Sequence, residues 1–202
     1  VQATLDGPHR RGLNLWSIWS DHTALTARAR TTSLVEAGTA VVARHLALAA
    51  PEDLAVVEAE WAARTPSPAQ RDAGRVLGRG LLRLAARLWP HSGPLALIAS
   101  AAAHPPRALV LGAMAAEAGM EPLDLARLVV YDDAASAAAA LLKLEPCDPA
   151  EVTVRVVETC AAVDDAVRGI AELTDPAEIP AASAPQAEEW AKAHALLTRR
   201  LF

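Results

Sequence analysis

The chain has 202 residues and a net charge of −5, from 19 basic and 24 acidic side chains. That balance argues against a phosphate-binding surface over most of the molecule, because nucleic-acid affinity rests on clustered Lys and Arg. Alanine makes up about a quarter of the residues and aromatics only 3%, a mixture that favours helices packed closely around a thin core over strands.

Residues 1–20 hold Trp16 and Trp19 among glycines and mixed polarity, and read as an N-terminal arm. Residues 21–202 read as a single domain. From Asp21 to Ala50 a helical pattern runs through Leu25, Leu34, Val35, Val41, Val42 and Leu46, weakened at Gly38, as one bent helix or two. Pro51, Glu52 and Asp53 suit the positive start of a further helix through Leu54, Val57 and Trp61 to about Arg64.

Ser67, Pro68 and Gln70 have the spacing of a capping box. Leu77, Leu81, Leu84 and Leu88 follow as an expected buried stripe. Pro90, Gly93 and Pro94 close that helix, and a short apolar segment runs to Ala103. Pro105 and Pro106 open a helix that closes at Gly119, and Pro122 opens a longer one through Tyr131 to about Lys143. Asp148 and Glu151, then Ser183 and Gln186, give two more capping boxes. Thr174 to Pro185 is the candidate hinge. The expected fold is all-α, about eight helices with antiparallel neighbours.

No constellation points to catalysis. The six histidines show neither His-Glu-x-x-His nor a Cys/His cluster, and neither Gly-x-Ser-x-Gly nor the phosphate-loop pattern occurs. Asp132-Asp133 and Asp164-Asp165 are adjacent acids that read as solvated or salt-bridged. Cys147 and Cys160 lack CxxC spacing and indicate no disulfide framework. Apolar runs fall short of the ~20 residues of a membrane span, and the start lacks a signal pattern. The expectation is a non-enzymatic protein of the cytoplasm without a resident cofactor or metal.

One feature is less ordinary. Arg71, Arg75, Arg79, Arg83 and Arg87 recur at i, i+4, where like charges destabilise an isolated helix. Carboxylates of this chain or of a partner should offset them. A helical transcriptional regulator using this helix is the rival reading, and would need strongly salt-dependent DNA binding.

The end of the chain, His194 followed by Arg200, Leu201 and Phe202, resembles the C-terminal signature of the urease accessory protein F (UreF) family. Arg64 to Arg71 with Gly78 and Leu82-Arg83, His104-Pro105 with Gly112, Gly119 and Tyr131, and Leu141 to Leu144 also resemble actinobacterial-type members. The resemblance implies an all-helical assembly factor that catalyses nothing. Such a factor acts with UreD (also called UreH) and the GTPase UreG, passes nickel to apo-urease, and often forms a homodimer. It places His194, Arg200, Leu201 and Phe202 against the UreD-type partner, and Arg71, Tyr131 and Lys143 fall on family positions; with Arg75 and Arg79 of the arginine run they are further candidate contacts. The family's Pro-x-Gly-Gly and His-Ser-x-Gly motifs are not seen in residues 1–24, and Gly74 and Ala195 replace a usual Ser and a usual acidic residue.

Overall fold

The computed structural model describes residues 23–101, 104–144 and 148–182. They form nine α-helices, with no strand among the described residues: α1 (Thr23–Ala29), α2 (Thr32–Ala49), α3 (Leu54–Arg64), α4 (Pro68–Leu88), α5 (Gly93–Ala101), α6 (Arg107–Glu117), α7 (Pro122–Leu144), α8 (Pro149–Ala161) and α9 (Asp164–Ile170). Single 3₁₀ turns at Pro51–Asp53 and Pro176–Glu178 complete them. The arm at 1–20 and the cap expected at Ser183 lie outside the described residues.

Local chemistry sets most boundaries. Ser67 Oγ accepts from the Gln70 N–H at 3.4 Å and Pro68 takes the first turn of α4. Asp148 caps α8 through the Ala150 N–H at 2.8 Å, one residue earlier than a capping box through Glu151 would place it. Gly119, at φ +66°, ends the α6 turn in the left-handed region that glycine occupies without strain. The break in the first helical stretch falls at Arg30–Thr31, not at Gly38. The short apolar segment that follows α4 is helical from Gly93 to Ala101.

The core is built on α2. Ala37, Gly38, Ala40, Ala43 and Ala47 are buried along it, and it packs on α6, α7 and α3. With so few aromatics, cohesion comes from close backbone approach. A Cβ at Gly112 of α6 would fall on the Ala40 carbonyl oxygen and the Ala43 methyl of α2. One at Gly78 of α4 would fall on the Pro105 carbonyl oxygen, so α4 rests directly on the turn into α6. Trp61 fills the space between α2, α3 and α4 and is fully buried. A second apolar cluster joins α1, α2, α6, α7 and α9 through Val41, Leu125, Val129, Val130 and Val167.

A polar seam crosses this interior. Arg28 of α1 clasps Asp133 of α7 in a fork, at 2.9 Å from Nε and 2.6 Å from Nη2, and Ser33 of α2 donates to the same carboxylate. Arg107 at the start of α6 pairs with Asp132, and Trp61 Nε1 donates to Glu36 at 2.7 Å. Burial pushes Asp133 up, but Arg28, Ser33 and Arg107 outweigh it and hold the carboxyl below the usual range. Glu36 goes the other way: burial dominates and raises it, against the Trp61 hydrogen bond.

The segment expected to hinge is held as far as Pro180. Arg64 donates to the carbonyls of Ile179 at 2.6 Å and Ala177 at 2.7 Å, and Ile179 is buried. A Cβ at Gly38 would come within 2.7 Å of Pro180 Cδ, which accounts for the glycine inside α2. Prolines there fix a path across α2 and α3 instead of freeing one.

Two predictions follow from the packing and the seam. Gly112→Val should cost about 3 kcal/mol or prevent folding, whereas Gly80→Ala, with nothing within 4 Å of the new methyl, should gain about 0.5–1 kcal/mol; urea midpoints decide it. Asp133→Asn should cost about 2–3 kcal/mol near neutrality. Asp133, with a lowered folded pKa, gives stability that is lost as pH falls through that value, so the cost should shrink in acid. Glu36, with a raised folded pKa, gives stability present in acid and lost as pH rises through that value. Glu36→Gln should therefore gain on the native protein as pH rises, and parallel profiles would contradict this.

Candidate interaction surface

The arginine helix divides its guanidinium groups between the chain and the solvent. Arg71 Nη1 donates to the carbonyls of Thr65 at 2.6 Å and Pro66 at 2.9 Å, closing the loop that precedes its own helix. Arg75 pairs with Glu58 of α3 at 2.6 Å, donates to the His104 carbonyl at 2.9 Å, and stacks 5.5 Å from the Trp61 ring centroid. Arg79 Nη1 lies 3.3 Å from His104 Nε2. Arg83 and Arg87 are exposed and form no ion pair with any described residue. Only Arg75 of the five is thus offset by a carboxylate within the described residues.

The leucine stripe expected to be buried is not. Leu77, Leu84 and Leu88 are 58%, 50% and 55% exposed, and Leu81 is only half-buried. The fully buried positions of α4 are instead Gly78 and Ala85, which let it sit close on α6, with Leu81 and Leu82 packed beside them. Hydrophobic spacing cannot distinguish a face that meets the core from one left for something else. Helix α4 therefore shows Leu77, Leu84 and Leu88 to solvent.

On α7, Tyr131 and Leu128 are exposed one turn apart, beside Arg127, which is forked onto Asp164 of α9 at 2.8 and 3.0 Å. Arg168 completes that surface cluster at 2.9 Å from the same carboxylate. Three of the four adjacent acids are thus salt-bridged, Asp132 to Arg107, Asp133 to Arg28 and Asp164 to its two arginines, and Asp165 is exposed to solvent. Lys143 is in α7, but its side chain lies outside the described residues. So do His194, Arg200, Leu201 and Phe202.

A depression of about 520 Å³ beside Glu121, Pro122, Leu123, Arg168, Ala171 and Glu172 is wide open and lined by neither histidine nor cysteine. Among the described residues no three His, Cys, Asp or Glu side chains converge as a metal cage would require. Cys160 is half-buried, and burial raises its thiol pKa, which leaves little nucleophilic thiolate. No described helix is long and apolar enough to cross a membrane. Missed in the sequence were the Arg64 clamp on the carbonyls of residues 177 and 179 and the Glu36–Trp61 bond; both join residues far apart in the chain and leave no local signal.

The family model UreF matches residues 23–161. The urease accessory protein UreF of Mycobacterium marinum is 40% identical over 156 residues, covering 75% of this chain and 70% of the relative. That of Mycobacterium tuberculosis H37Rv is 38% identical over the same length and the same shares. The UreF of Mycobacterium sp. strain JLS is 39% identical over 184 residues, covering 90% of this chain and 80% of the relative. No solved structure matches the chain. The match from the start of α1 to the end of α8, with relatives spanning most of the chain, shows that this protein belongs to the UreF family of urease accessory proteins.

Proposed function

We propose that the chain is a non-catalytic scaffold of urease maturation in the cytoplasm. It assembles with a UreD-type (UreH) protein and the GTPase UreG, and brings nickel to apo-urease through the complex. The observation that carries this reading is the family match over residues 23–161. Exposed apolar and cationic side chains on α4 and α7 support it, since a scaffold works through surfaces. A second copy of the chain is a further partner, for which Leu128 and Tyr131 offer an apolar contact. The contact with the UreD-type protein is assigned to His194, Arg200, Leu201 and Phe202.

Nickel, on this reading, is cargo of the assembly, and its tight ligands come from the partners. The chain needs no resident cofactor.

Removing Arg200 to Phe202 should weaken binding to a UreD-type protein about tenfold or more, because a buried Leu and Phe can each contribute about 1.5–3 kcal/mol before ordering costs. Helicity should be unchanged, and an unaltered affinity in a titration would contradict the assignment. Calorimetry on the isolated chain should find nickel binding weak and without a fixed stoichiometry; one submicromolar site, lost on changing His104, Cys147 or Cys160, would make the chain a metallochaperone by itself.

A further inference from the structure

The outward side of α4 is amphipathic in its own right. At 100° per residue, Leu77, Leu84 and Leu88 line one edge, and Arg83 and Arg87, with the exposed Val76 between them in angle, line the other. Ala73 and Gly80 lie between them, and nothing stands within 4 Å of a Cβ built at Gly80. The result is a shallow trough, walled by apolar side chains on one edge and guanidinium groups on the other, with a floor that lets a second backbone come close. Helix α4 has 21 residues and so is about 31 Å long at 1.5 Å per residue.

We propose that this trough docks an amphipathic helix of a partner protein that carries an apolar stripe flanked by carboxylates. Charge selects the occupant. Arg83 and Arg87 have no carboxylate among the described residues, and the only carboxylate on α4 itself is Asp72, near its start. In a chain of net charge −5 this cationic edge is the local exception. A phosphate backbone would meet two cations and a row of leucines, a poor match for a ligand whose affinity rises with each cation engaged. An anionic bilayer would be repelled by the rest of the surface. A helix with acidic flanks answers both edges at once, as in other helix-in-groove recognition.

The proposal uses none of the tail residues assigned above, so either assignment can fail alone. The test uses the full chain and two fluorescent 21-residue peptides with one leucine stripe, flanked in one by glutamates and in the other by lysines. Anisotropy should show the glutamate peptide binding about tenfold or more tightly than the lysine peptide. The double variant L77A/L84A should weaken it about tenfold, and R83E/R87E should reverse the preference. Both variants alter exposed positions, and an unchanged circular dichroism spectrum and urea midpoint would confirm that they fold. Removing Arg200 to Phe202 should leave the peptide affinity as it was. Equal affinity for the two peptides, or affinity indifferent to both variants, would overturn the proposal. So would displacement of the peptide by phosphatidylglycerol vesicles or a DNA duplex, or a shift from dimer to monomer in L77A/L84A, which would show that a second copy covers the trough.

Discussion

Everything in this fold depends on how closely α2 and α6 can approach. Gly112 sits against the Ala40 carbonyl and the Ala43 methyl, with no room for a Cβ. With 3% aromatic residues, the interior cannot be filled by large side chains, so it is closed by bringing backbones together, which gains dispersion contacts and excludes water. The same device recurs where Gly78 seats α4 on the Pro105–Pro106 turn and where Gly38 receives Pro180. In an alanine-rich chain of this kind these close contacts seat the helices so that the buried Val, Leu and Ile side chains can meet.

Close packing specifies little about which helix meets which, and the polar seam supplies that. A desolvated carboxylate without its arginine costs several kcal/mol, so Asp133 tolerates only arrangements that bring Arg28 and Ser33 to it. Arg107–Asp132 and Glu36–Trp61 fix α6 and α3 against the same centre. Opposite shifts at Asp133 and Glu36 follow from one difference: the first has a forked cation, the second a single neutral donor.

Helix positions were legible because their signals are local. Ser67-Pro68, Asp148-Pro149 and Gly119 declare ends within a few residues. Burial was less legible, and α4 shows why. Leucines at 77, 84 and 88 have the spacing of a core face, yet the core takes Gly78 and Ala85, because contact at the smallest residues allows the closest approach. The arginine run was read as needing acids to offset it; Glu58 supplies one for Arg75, while Arg71 is met by carbonyls at the loop before the helix. The family was readable through spaced motifs within 64–144, most of which the fold uses: Gly78 and Gly112 for contact, Gly119 for its turn, His104-Pro105 for the joint between α4 and α6.

Scaffolding is a claim about what the chain enables in others, and urease itself reports it. The most direct measurement is urease activity, with nickel per urease active site, in a mycobacterial host lacking its own UreF and expressing this chain. The account predicts that nickel occupancy and activity return together, and that they depend on the UreD-type and UreG proteins of the host. A well-expressed, folded chain that leaves urease free of nickel, or one that restores activity without those partners, would contradict it.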